Sequence, residues 1–170
     1  FAEGDFGNPR LMIEAANGDL FLTDSKEDKI YLLRDTNKDG RIDNASERFL
    51  FADKLTRPYG IAINGGYIYI ANTNALMRAK YVAGETKLSS PLEKIADLPG
   101  TAEAKGHSTR NIIFNAAGTK LYVAAGSSSN VDVEDDPRRA AISEYNPDGT
   151  GHRIFASGIR NPVGLAINPV

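Results

Sequence analysis

Four copies of one pattern, spaced at roughly fifty residues, constrain this chain more than any other feature. Residues 9–13 lead through Asn17-Gly18 into residues 19–24, and residues 58–63 lead through Asn64-Gly65-Gly66 into residues 67–72. Residues 110–114 lead through Ala117-Gly118 into residues 120–126, and residues 161–167 begin a fourth copy. Ile13, Ile63, Phe114 and Ile167 share one phase, at steps of 50, 51 and 53 residues. Each copy reads as an apolar strand, a glycine-containing hairpin turn and a second strand rich in aromatic and β-branched residues. Third and fourth strands follow at residues 29–34 and 47–51, at 75–81 and 92–96, and at 141–145 and 152–156. Four short strands per repeat of this length predict the blades of a β-propeller. A β-sandwich also alternates its strands, but it has no reason to repeat at fixed phase. No window offers an amphipathic helix.

The expected fold class is therefore all-β, a partial propeller domain over residues 1–170. Its blades run at about 9–56, 57–105 and 106–157, with the next starting at 158–170. Propellers close with roughly 4–8 blades, so this arc leaves sheet edges unpaired, which invites association. Either the sequence is a piece of a longer chain, the preferred reading, or copies close the ring together as a homodimer through the open edges.

Composition excludes several function classes. Hydrophobic residues at 41% and charged residues at 25% are those of an ordinary globular domain. A net charge of -2 gives no concentrated basic surface for nucleic acid or an anionic membrane. No apolar run approaches the ~20 residues that span a bilayer, so membrane insertion is not expected. With no cysteine there is no disulfide, zinc-thiolate site or thiol nucleophile. The sequence opens on Phe1, so it reads as a processed or trimmed product.

Candidate chemistry gathers where successive copies begin. Gly106-His107-Ser108-Thr109-Arg110-Asn111-Ile112 holds one of only two histidines, and Ser157-Gly158-Ile159-Arg160-Asn161-Pro162-Val163-Gly164-Leu165-Ala166 comes one repeat later. A histidine is the side chain best matched to proton transfer near neutral pH. Together with Ala124-Ala125-Gly126-Ser127-Ser128-Ser129-Asn130 and Glu144-Tyr145-Asn146-Pro147-Asp148-Gly149, these motifs resemble the sorbosone dehydrogenase and soluble glucose dehydrogenase family. The resemblance covers essentially the whole chain, as the first half of such a protein. It implies a six-bladed propeller that carries pyrroloquinoline quinone (PQQ) with calcium. The implied activity is a quinoprotein dehydrogenase oxidising a sugar hydroxyl or aldehyde by hydride transfer to PQQ. An external electron acceptor and a periplasmic or secreted location go with it.

By the same resemblance His107 is the general base, and Arg160 with Asn161 contacts the quinone oxygens. A guanidinium aimed at an oxygen that gains negative charge stabilises it, and Pro162 restricts Asn161 to extended backbone. Arg110, in the same dipeptide one repeat earlier, either reaches that mouth as a cofactor contact or belongs to the blade consensus. Glucose-type members place an Asp before the histidine and another that orients it. Here Gly106 and approximately Ser127 hold those places, as sorbosone-type sequences do, which leaves the orienting partner open. The ligands of the cofactor's calcium are expected in a later blade, beyond Val170.

Asp35, Asn37, Asp39 and Asp43 form a separate weak candidate for structural calcium. Oxygens at alternate positions before a glycine resemble the first half of an EF-hand loop, although Ser46 stands where its bidentate glutamate would be. The competing reading is an Asx-rich turn with Asp39-Gly40 at the tip. Residues 134–139 read as an exposed charged loop, His152 as a solvated turn residue, and Tyr59 as a core or rim tyrosine. Two other functions stay open: a non-catalytic propeller that binds carbohydrate or protein, and a calcium-dependent lactonase-type propeller.

Overall fold

The computed structural model describes residues 2–43, 46–100 and 106–168, and among them there are twelve strands and no helix. No segment there forms a helix long and apolar enough to cross a membrane. The first sheet holds β1 (Pro9–Glu14), β2 (Leu20–Asp24), β3 (Lys29–Leu33) and β4 (Arg48–Ala52). The second holds β5 (Gly60–Asn64), β6 (Tyr67–Ala71), β7 (Ala75–Lys80) and β8 (Glu93–Asp97). The third holds β9 (Ile112–Phe114), β10 (Leu121–Ala125), β11 (Ala141–Tyr145) and β12 (Arg153–Ser157). Within each sheet, strands adjacent in sequence pair antiparallel, because short connections return the chain to the strand it has just left. Between β5 and β6 the loop is Gly65-Gly66 alone, with φ of 57° and 77°. That left-handed backbone matches a two-residue hairpin to strand twist.

The sequence repeat is also a structural one. The outer strand pair of every sheet shifts register at the same place: between Ile30 and Tyr31, Leu76 and Met77, and Ile142 and Ser143. A bulge there bends each fourth strand and increases its twist. First strands lie together, with β5 against both β1 and β9. That puts β1, β5 and β9 at the axis and β4, β8 and β12 at the rim of a β-propeller.

Middle strands lie between two sheet faces, so β6 reads Tyr-Ile-Tyr-Ile-Ala with no polar alternation. Phe21, Ile30, Leu32 and Phe51 of the first sheet meet Ile61, Ile68 and Ile70 of the second. Tyr69 and Leu76 of the second meet Ile112, Leu121, Val123 and Tyr145 across the next interface. Edge-to-face rings sit in both cores, Phe21 on Phe51 at 4.7 Å and Tyr69 on Phe114 at 4.8 Å between centroids. Each such buried side chain contributes about 1.5–3 kcal/mol. The blades are thereby fixed relative to one another, and so are the loops at their ends.

Two local expectations are corrected. Arg110 and Asn111 lie, together with His107, in the loop before β9 rather than in the expected strand of residues 110–114, which is only Ile112–Phe114. Arg110 turns inward to main-chain carbonyls, and the Asn111 amide donates to Val163 O at 3.0 Å, which holds this stretch as a loop. Residues 161–167 form no strand; residues 165–168 instead line a groove with Ile113, Tyr122 and Phe155 of the third sheet. The expected end of the second blade at residue 105 lies outside the described residues.

Candidate functional site

The loop leading into β9, the end of β10 and residues 158–163 meet at one end of the third sheet. Backbone bonds join them: His107 N–H donates to Ser127 O at 2.9 Å, and Ser127 N–H donates to Arg160 O at 2.8 Å. Gly126 stands between the candidate side chains. A Cβ placed there would lie 2.4 Å from His107 Cβ and 2.6 Å from Asn161 Oδ1. His107 and Asn161, one repeat apart in sequence, therefore flank a single backbone position. The buried Thr109 hydroxyl donates to Asn161 Oδ1 at 2.6 Å. That occupies the carboxamide oxygen and leaves Nδ2 as a donor for an oxygen of a ligand.

His107 is half-buried, and among the described residues no hydrogen bond reaches either of its ring nitrogens. The Ser127 hydroxyl donates instead to Ser129 O at 2.5 Å, so it does not orient the ring. Arg160 is exposed and donates to Asn130 Oδ1. It borders a cleft of about 240 Å³ with Ser129, Asn130, Glu134 and Gly158. Among the described residues, its guanidinium has no carboxylate partner.

Arg110 requires a correction. It has no exposed surface, and its guanidinium donates to four main-chain carbonyls: Thr73 O at 3.1 Å, His107 O at 3.1 Å, Thr109 O at 2.7 Å and Pro99 O at 2.5 Å. Burial, and secondarily the like charge of Arg139, pushes its pKa down to about 9. A group so enclosed acts as a clamp beneath the loop of His107, not as a direct cofactor contact.

Three contributors escape a reading of the sequence. Arg139, within the segment expected to be an exposed charged loop, reaches back to Gly126 O at 3.2 Å and to His107 O at 3.4 Å. Thr109 and Gly126 sit inside motifs quoted for their neighbours. No local signal marks them, because their roles depend on contacts with Asn161 across the repeat. Tyr59 is buried, and its hydroxyl donates to Val163 O at 3.4 Å. His152 is exposed, with Nε2 3.0 Å from Ser143 Oγ and the ring resting on Tyr145. Burial and then Arg138 lower its pKa, against the smaller opposing influence of Asp136.

The Asp/Asn loop turns on its own amides. Asp35 accepts from the N–H groups of Asp39 and Gly40 at 3.2 and 2.9 Å, Asn37 from Asp39 N–H at 3.0 Å, and Asp39 from Arg41 N–H at 2.8 Å. Among the described residues no three acidic or histidine side chains gather around a point where a metal would sit. The buried Glu47 carboxylate closes the loop, accepting from the Asp43 and Thr36 amides at 2.9 and 2.7 Å and the Thr36 hydroxyl at 2.7 Å. Those bonds, the Asp43 amide foremost, hold its pKa down to about 2.

The family described as TrAA12-like matches residues 2–170. No curated protein gives a significant match. Among solved structures, the family AA12 carbohydrate-active enzyme of Trichoderma reesei, known in iodide and calcium forms, is similar at 18% identity with a TM-score of 0.75 for the iodide form. That match covers 96% of this chain and 43% of the other. The holo PQQ domain of pyranose dehydrogenase from Coprinopsis cinerea is similar at 17% identity and TM-score 0.73, covering 94% of this chain and 41% of that one. The PQQ-bound aldose sugar dehydrogenase of Streptomyces coelicolor is similar at 19% identity and TM-score 0.63, covering 87% and 47%. The chain thus spans less than half the length of these structures.

Proposed function

Because the chain belongs to the TrAA12-like family of PQQ-dependent sugar dehydrogenase domains, we propose that it forms one side of the quinone and substrate site of such an enzyme. The observation that carries the reading is the meeting of His107 and Asn161 across Gly126. The residues present fit the group: Asn161 Nδ2 and the Arg160 guanidinium are donors for anionic or quinone oxygens, and the lack of a side chain at Gly126 lets Asn161 and His107 approach each other closely. When bound, PQQ would take the hydride that leaves the sugar carbon.

The chain's own part is proton transfer and electrostatics. His107 takes the proton of the sugar hydroxyl at a ring nitrogen as the C–H bond breaks. Asn161 Nδ2, fixed by the Thr109 hydroxyl on the other side of its carboxamide, donates into the site. Arg160 adds positive charge at the rim, where an anionic cofactor would gain from it. The reading carries with it a small sugar as substrate, an external electron acceptor and a periplasmic or secreted location. Calcium accompanying the cofactor would take its ligands from outside this chain.

The experiment for the main reading uses the full-length protein reconstituted with PQQ and calcium. His107→Ala should lower sugar-dependent dye reduction by about 10²–10⁴-fold while cofactor affinity stays close to that of the parent. Unchanged turnover would remove His107 from the mechanism. Absence of PQQ binding by the parent protein would remove the dehydrogenase reading itself.

A further inference from the structure

Gly126 comes directly after β10, a five-residue strand. The equivalent positions after the five-residue strands β2 and β6 hold Ser25 and Asn72. Both carry side chains that tie loops together: Ser25 Oγ donates to Pro58 O at 2.7 Å, and Asn72 Oδ1 accepts from Thr56 N–H at 3.3 Å. A blade therefore has no need of glycine here. Nor does the backbone, since Gly126 is not among the glycines with positive φ, and any residue could adopt its conformation. A side chain is excluded by the pair flanking it, His107 Cβ at 2.4 Å and Asn161 Oδ1 at 2.6 Å from a Cβ in that place. His107 Cβ is anchored to the main chain, so it cannot swing aside as a flexible side-chain end would.

Thr109 completes the arrangement from the other side. It is 5% exposed, and its hydroxyl donates to Asn161 Oδ1 at 2.6 Å. Without that hydroxyl the Asn161 carboxamide would lose the one side-chain hydrogen bond that holds it among the described residues.

We propose that Gly126 and Thr109 are positioning residues: Gly126 sets how closely Asn161 approaches His107, and the Thr109 hydroxyl anchors the Asn161 carboxamide in place. The proposal rests on the dehydrogenase reading for its kinetic consequence, but its structural consequence holds for any ligand. A displacement of about 1 Å at a reacting centre costs on the order of 10²-fold in rate.

The test uses the full-length protein with three variants: Gly126→Ala, Thr109→Val and Thr109→Ser. Two measurements are made, nuclear magnetic resonance of the His107 Cε1–H and Asn161 side-chain amide, and the kcat and KM of the PQQ-loaded enzyme. Gly126→Ala should shift both resonances in the cofactor-free protein and lower kcat by about 10²-fold at little change in KM. Thr109→Val should shift the Asn161 amide, with Thr109→Ser restoring both its resonance and its kcat. Resonances unmoved in folded Gly126→Ala and Thr109→Val proteins would overturn the proposal. If Gly126→Ala does not fold, the Val and Ser pair decides: equal resonances and equal kcat for both overturns it. Shifted resonances in a protein that oxidises no sugar would uphold the positioning and reject the dehydrogenase reading.

Discussion

Arg110 carries a charge into the interior and, among the described residues, offsets its desolvation with main-chain dipoles alone. Removing it would leave the carbonyls of Thr73, Pro99, His107 and Thr109 to find new partners. Each orphaned buried acceptor costs about 1–3 kcal/mol. Arg110→Ala should therefore destabilise the protein by at least about 3 kcal/mol in urea unfolding, and a change under about 1 kcal/mol would show that water replaces the guanidinium. Glu47 presents the opposite case, an anion held by donors. Its folded pKa of about 2 lies below its ordinary value of 4.5, so it contributes stability that is present above 4.5 and lost as pH falls through about 2. Glu47→Gln should flatten the pH dependence of the unfolding midpoint between those values. Equal slopes in parent and variant would assign acid sensitivity to other groups.

At the scale of elements, face-to-face contact between sheets decides stability, and Phe21 tests it. The residue is fully buried, stacked edge-to-face on Phe51 within its own sheet and 5.7 Å from Tyr81 just beyond β7 of the next. Phe21→Ala should cost about 3–5 kcal/mol, measured by denaturant unfolding, whereas loss of the half-exposed Phe155 should cost much less in the isolated chain. The strands were legible from sequence because their determinants are local: apolar runs, glycine turns such as Gly65-Gly66, and a phase that repeats. His107 and Asn161 were legible as neighbours because both stand where successive repeats begin. Their supporting residues were not. Arg110 and Arg139 look like surface charges until the fold supplies buried carbonyls, and Gly126 looks like any small residue in Ala-Ala-Gly-Ser. The extent of the loop before β9 was hidden for the same reason, since Asn111 finds its partner in Val163, 52 residues away.

At the scale of the molecule, the third sheet presents an apolar face that residues 165–168 border. Ile113, Tyr122, Ile142 and Phe155 line a groove of about 330 Å³ together with residues 165–168. Phe155 is 52% exposed there, with Tyr122 edge-on to it at 4.9 Å. In a propeller the next blade occupies such a face, and without it the apolar surface is free to pair with another copy. The candidate site is one-sided in the same way: among the described residues, His107, Arg160 and Asn161 are supplied by the end of the third sheet and by residues 158–163. The 170-residue polypeptide should therefore self-associate in light scattering, and Phe155→Ser should reduce that association. Calorimetric titration with PQQ and calcium should show weak binding, since a half-site leaves ligand carboxylates solvated and a metal short of oxygens. Tight, stoichiometric binding by a clean monomer would overturn the one-sided site. Tight binding that appears only in a dimer would mean instead that two copies complete one ring, with the groove of each closed by its partner.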